Sequence, residues 1–193
     1  MKIGVFALQG AFAEHSAMLH RLGVESREIR QRADMNDSFD GFILPGGEST
    51  VMRKLLLELG LQQPLSEQLD HGVPIFGTCA GLLLLAKQVE NGPTCLSRMD
   101  IAAKRNAYGR QLGSFTTVAP FAGIDSIPMT FIRAPYISRT FGAAQPLAEV
   151  NGKIVAAQQG NMLVTAFHPE LTADTRVHAY FLDMVRRAAQ KAS

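Results

Sequence analysis

A chain of 193 residues, 47% hydrophobic and 19% charged, can bury a full-sized core, and residues 1–193 are expected to form one domain. Its 19 basic and 17 acidic residues leave a net +2 without runs of like charge, which argues against nucleic acid or a membrane surface as partner. The two cysteines, Cys79 and Cys95, lack CxxC or His-rich metal spacing, so reduced thiols, no metal and no cofactor are expected.

Lys2 to Leu8 is a short apolar run, too short for a membrane span and without the features of a signal peptide. It reads as a strand of a cytoplasmic protein. Ala11 to Leu22 then carries apolar residues at helical intervals and stops at Gly23. Gly41-Phe42-Ile43-Leu44 is a second strand, ended by Pro45-Gly46-Gly47, and Ser49-Thr50 are expected to cap a helix over Val51 to Leu59. Val73 to Phe76 reads as a third buried strand, Gly77 to Gly81 as a tight turn and Leu82 to Val89 as an apolar helix. Near-continuous apolar strands alternating with helices predict a mostly parallel sheet covered on both faces.

Beyond Asn91 the pattern is richer in strands, at Phe115 to Val118, Met129 to Arg133, Ile154 to Ala157 and Met162 to Phe167, and some antiparallel pairing is expected. Thr172 to Ala189 has Val177, Tyr180, Phe181, Met184 and Val185 at helical spacing and should be a closing amphipathic helix. There is no internal repeat or low-complexity segment.

Three motifs carry chemistry. Gly77-Thr78-Cys79-Ala80-Gly81 follows a strand and opens a helix, the context of a nucleophile elbow with sulfur in place of a hydroxyl. A turn of that kind strains the nucleophile's backbone and requires small neighbours, which Gly77, Ala80 and Gly81 provide. A small buried core cysteine would be the ordinary alternative. Phe167-His168-Pro169-Glu170 follows another strand; in an extended segment His168 and Glu170 would project to one face as an imidazole–carboxylate pair. Such a pair can move a proton to or from a thiol, with the carboxylate fixing the tautomer, although on its own it also fits a surface pair. Pro45 to Thr50 is a Gly-rich strand end without the form of a phosphate loop, and its backbone N–H groups could face a developing oxyanion.

In these motifs the chain resembles the class I, triad-type glutamine amidotransferases, and among them the glutaminase subunits of pyridoxal 5′-phosphate synthase. The likeness runs through Ala7 to Phe12 with Glu14-His15, Leu44 to Thr50, Phe76 to Gly81, residues 105–111, Phe131 to Pro135 and Phe167 to Thr172. It implies a three-layer α/β/α, flavodoxin-like fold whose mostly parallel central sheet includes some antiparallel strands. It implies Cys79 as nucleophile, His168 as base and Glu170 as the orienting acid of a triad that hydrolyses L-glutamine to glutamate and ammonia through a thioester.

The resemblance further implies substrate contacts at Gly46, Gly47, Glu48, Arg105, Ile132 and Arg133, with backbone oxyanion donors at Gly47 and Ala80. Either arginine would suit the substrate α-carboxylate. Gln9, Glu14 and His15 would lie at the contact with a barrel-shaped synthase subunit in a hetero-oligomeric complex that receives the ammonia for vitamin B6 biosynthesis; a polar helix face is the plainer reading of Glu14 and His15. A triad amidotransferase of another pathway, or a non-catalytic subunit with a redox-sensitive Cys79, are the rival readings.

Overall fold

The computed structural model describes residues 1–105 and 113–192. Five strands form a parallel block: β2 (Glu25–Ile29), β1 (Lys2–Phe6), β3 (Gly41–Leu44), β4 (Ile75–Thr78) and β12 (Met162–Thr165), in that spatial order. Every residue of β3 and β4 is buried, as strands covered on both faces must be. Beyond β12 the sheet turns antiparallel. β11 (Lys153–Gln159) pairs with β12, with β10 (Gln145–Val150) and with β9 (Tyr136–Thr140). β9 pairs in turn with β6 (Met99–Lys104), and β5 (Ala86–Glu90) closes the edge parallel to β6. A separate antiparallel hairpin is made by β7 (Ser114–Phe121) and β8 (Ile124–Ile132).

Helices cover both faces because side chains alternate along each strand. Phe76 packs toward α1 (Phe12–Arg21) and α5 (Arg176–Ala192): its ring lies 6.0 Å from that of His15 and 5.6 Å from that of Phe181. Gly77, the next residue, faces α4 (Ala80–Leu85) on the other side, where a Cβ would meet the Gly81 carbonyl carbon at 2.7 Å. The arrangement is the expected mixed α/β fold, with the parallel block at its centre.

Several local expectations are corrected. The helix after the Cys79 turn covers only Ala80–Leu85; Ala86 adopts an extended conformation and the chain continues as β5 rather than running helical to Val89. Four consecutive buried leucines, Leu82 to Leu85, give no amphipathic mark of where the helix stops, and pairing of β5 with β6 decides it. The helix after Leu44, α2 (Ser49–Glu58), is capped by Glu48 rather than by Ser49-Thr50, its carboxylate accepting the N–H groups of Thr50 (3.0 Å) and Val51 (2.8 Å). The closing helix begins at Arg176, after Asp174 Oδ1 accepts its N–H. Strands β2, β5, β6, β9 and β10, and helix α3 (Gln62–Asp70), were not among the expected elements.

Candidate active site

The carboxyl ends of β3, β4 and β12 lie side by side, with Leu44 opposite Gly77 and Thr78 opposite Thr165. Open parallel sheets collect ligands at such ends. Cys79 leaves β4 with φ 49° and ψ −99°, outside the helical and extended regions and costly for a residue with a Cβ. The turn is held by its packing: the Cys79 N–H donates to the Thr165 carbonyl at 2.8 Å, and a Cβ on Gly81 would stand 2.2 Å from the Leu44 carbonyl oxygen. Only glycine lets α4 begin so close to β3.

His168 and Glu170 meet by a route different from that expected. β12 ends at Thr165, and Pro169–Leu171 form one 3₁₀ turn, so the extended two-residue repeat does not apply. The turn brings Glu170 Oε1 back to 2.7 Å from His168 Nδ1. The His168 N–H donates to the Thr130 carbonyl at 2.8 Å, which ties the imidazole's backbone to β8. His168 and Cys79 both lie against Gly46, where a Cβ would stand 2.2 Å from His168 Cε1 and 3.1 Å from Cys79 Cβ, and the two interact electrostatically. Cys79, His168 and Glu170, far apart in sequence, are therefore one continuous, buried chain of contacts.

Burial alone would push His168 down, but its interaction with Cys79 and its hydrogen bond to Glu170, with the negative charge of Glu170, reverse that and raise it to about 10. Burial would likewise push Glu170 up. The His15 and His168 imidazoles overcome it and hold the carboxyl below its ordinary range, so Glu170 stays ionised.

Cys79 and His168 open onto a cleft of about 480 Å³, a size suited to a small molecule, with Glu170 buried behind the imidazole. Gly46, Gly47, Glu48, Ala80, Arg105, Ile132 and Arg133 all line it, as does Gln9. The sequence reading did not single out Leu83, Pro135 and Leu171, which supply apolar wall. Gly46 lies against the imidazole, where a Cβ would come within 2.2 Å of His168 Cε1. Gln9 Oε1 accepts the Glu48 N–H at 2.6 Å and so braces the glycine loop. Arg105 Nη1 reaches Thr50 Oγ1 at 3.4 Å, and its charge helps hold Glu48 low, behind the hydrogen bonds from the α2 N-terminus. Arg133 sits at φ 41° directly after β8. Of the segment resembling the family at 105–111, residues 106–111 lie outside the described residues.

Glu14 is exposed on α1 and lines no part of the cleft. His15 is a correction. It is fully buried, so it presents no surface to a partner and is not part of a polar helix face; α1 points it inward to Thr78, Glu170 and His178. Among the described residues, no group of three or more His, Cys, Asp or Glu is arranged to hold a metal, and no helix is long and apolar enough to cross a membrane. Cys95 lies away from the cleft, and burial raises its thiol to about 11.

The model of the SNO glutamine amidotransferase family matches residues 5–187. A pyridoxal 5′-phosphate synthase subunit PdxT from Methanocorpusculum labreanum is 60% identical over 185 residues, covering 96% of this chain and 98% of that protein. A protein of the same name from Haemophilus influenzae is 53% identical, covering 97% and 100%. A crystal structure of a glutamine amidotransferase superposes with a TM-score of 0.90 at 39% identity, over 95% of this chain and 98% of that one. With a matching family model across nearly its whole length and relatives this similar, the chain belongs to the SNO glutamine amidotransferase family.

Proposed function

We propose that this chain is the glutaminase subunit of a pyridoxal 5′-phosphate synthase: it hydrolyses L-glutamine with Cys79, His168 and Glu170 and passes the ammonia to a barrel-shaped synthase subunit in a hetero-oligomeric, cytoplasmic complex. The observation that carries the reading is the strained Cys79 beside an imidazole that is paired at 2.7 Å to a buried carboxylate, with sulfur and imidazole opening on one cleft. The names of the relatives supply the pathway.

With its proton transferred to His168, the Cys79 sulfur attacks the carboxamide carbon as thiolate, forming a C–S bond and moving the carbonyl electrons onto oxygen. Backbone N–H groups of Gly47 and Ala80 receive that oxyanion. As it collapses the C–N bond breaks, and His168, held protonated through the neutral range, gives its proton to the departing nitrogen as ammonia. The now neutral imidazole takes a proton from water, which attacks the thioester and releases glutamate. Glu170 keeps Nδ1 protonated throughout and stabilises the imidazolium.

Of the two arginines that line the cleft, Arg105 and Arg133, one pairs with the substrate α-carboxylate. Gly46, Gly47, Glu48 and Ile132 complete the substrate walls. The Glu48 carboxylate is engaged in capping α2, so Glu48 serves through its backbone while that cap persists. Gln9, at the cleft, and Glu14, exposed on α1, contact the synthase subunit. The test is ammonia and glutamate release from L-glutamine, by the chain alone and with a matched synthase subunit. Release stimulated by the partner and abolished by Cys79→Ala is expected; hydrolysis retained in that variant would overturn the assignment.

A further inference from the structure

Behind Glu170 lies a second pair of imidazoles that the three-residue triad does not use. His15 and His178 are both completely buried, on α1 and α5. His15 Nδ1 is 2.9 Å from His178 Nε2, and His15 Nε2 is 3.1 Å from Thr78 Oγ1 and 3.5 Å from Glu170 Oε2. Glu170 Oε1 takes the bond from His168, while the buried Oε2 makes no hydrogen bond among the described residues and is faced by His15 Nε2. His178 Nδ1 likewise has no hydrogen-bond partner there.

Burial depresses both imidazoles, with His178 well below the ordinary range, so each is neutral and carries one ring N–H. One arrangement of protons satisfies the site. Buried N–H groups without an acceptor are rarer in folded proteins than acceptors without a donor, so His178 carries its hydrogen on Nε2 and leaves Nδ1 bare. That hydrogen is donated to His15 Nδ1, which forces the His15 hydrogen onto Nε2, facing the Thr78 oxygen and the Glu170 carboxylate. The opposite tautomer would set a lone pair of His15 against an ionised carboxylate and strand an N–H on His178.

We infer that His15 and His178 are positioning residues of the triad: His178 fixes the tautomer of His15, whose Nε2–H holds the second oxygen of Glu170 and the threonine beside the nucleophile. This rests on the triad reading above and deepens it. His15 touches both halves of the site, the elbow through Thr78 and the acid through Glu170. Losing its donor would let the carboxylate rotate away from His168 and loosen the residue that precedes Cys79.

Two measurements test this. Nitrogen-15 correlation spectra of the histidine rings in the intact protein report tautomers directly and require no substitution. His15 and His178 both protonated at Nε2 is the expected result; His15 protonated at Nδ1 would overturn the inference. The second is glutaminase kinetics with the synthase subunit present, on folded variants. His15→Leu and His178→Leu should lower kcat by about 10–100-fold with KM changed by less than about threefold. His15→Gln and His178→Gln, which restore an N–H near the Nε2 position, should recover most of kcat. A kcat within about twofold of the parent for both leucine variants, or no recovery in the glutamine variants, would refute a positioning role. Should the leucine variants not fold, the ring spectra of the parent decide alone. A parent that releases no ammonia overturns the triad reading itself, an outcome visible without either variant.

Discussion

Gly46 and His168 are neighbours with no room for a methyl group between them: a Cβ on Gly46 would lie 2.2 Å from His168 Cε1 and 3.1 Å from Cys79 Cβ. The glycine is therefore part of the geometry that lets the imidazole reach the sulfur. Gly46→Ala must displace His168 and disturb its pairing, because the adjacent ring atom, Nδ1, is the one held to Glu170 at 2.7 Å, and the backbone is held to Thr130 at 2.8 Å. A displacement of about 1 Å at reacting groups costs on the order of 10²-fold in rate. The expected outcome is a kcat lowered at least that far while the circular dichroism spectrum is retained. Near-parental turnover would mean that the imidazole works from another position.

Glu48 has two uses that one variant separates. Its carboxylate caps α2 through Thr50 and Val51, and its N–H is held by Gln9. Glu48→Ala removes the cap and keeps the backbone N–H, so it should cost about 1 kcal/mol and lower Tm by about 2–4 °C in a chain of this size. Glu48→Asp, a strong capping residue in its own right, should restore much of that. Calorimetry checks both, and an unchanged Tm in Glu48→Ala would show that the cap contributes nothing.

What could be read from the sequence follows from which signals are local. The elbow was legible at Gly77 to Gly81 because the strain at Cys79 demands small neighbours in immediate sequence, and the glycine loop at Gly46-Gly47 for the same reason. His168 and Glu170 were found as a pair, though a 3₁₀ turn and not an extended strand unites them. His15 was misread because polarity on a helix suggests exposure, whereas its burial depends on His178, 163 residues away. His178 had one local sign, a titratable residue among the apolar positions Val177 and Phe181 of the closing helix, and nothing in the sequence says that it faces His15. β5 and β6 were missed because their stability comes from pairing with each other and with β9, a non-local property that periodicity does not encode.

The buried imidazoles give stability a definite pH dependence. His15 and His178 are lowered in the folded chain, so between their folded values and about 6.5 the unfolded chain binds more protons. The contribution of these two rings is therefore full above about pH 6.5 and is lost as pH falls below it, by about 1.4 kcal/mol per pH unit for each imidazole. His168 acts in the opposite sense: raised to about 10, it contributes fully below about 6.5 and that contribution fades as pH climbs toward 10. Urea unfolding at pH 7.0 and 5.5 should show the acid loss, and His178→Gln, with one titrating imidazole fewer, should show a shallower dependence. A parent whose stability does not change between these pH values would mean that the two rings are not buried in the neutral form.

Arg105 and Arg133 both line the cleft, and the assignment between them turns on kinetics. Arg105 is already drawn toward Thr50 and the Glu48 carboxylate, while Arg133, directly after β8, is itself left-handed, and its backbone N–H donates to the Gly113 carbonyl at 2.5 Å. A charge-assisted pair to the α-carboxylate is worth about 1.5–3 kcal/mol, or roughly 10–100-fold in affinity. Because that end of glutamine does not change charge during the reaction, the contact is made equally in the ground and transition states. Its loss should raise KM with little effect on kcat. Replacing the residue that holds the carboxylate, in Arg105→Gln or Arg133→Gln, should therefore raise KM by that factor, while the other variant stays within about threefold. Glutamine saturation curves on both variants with the synthase subunit present decide between them. Two unchanged KM values would remove both arginines from the substrate site.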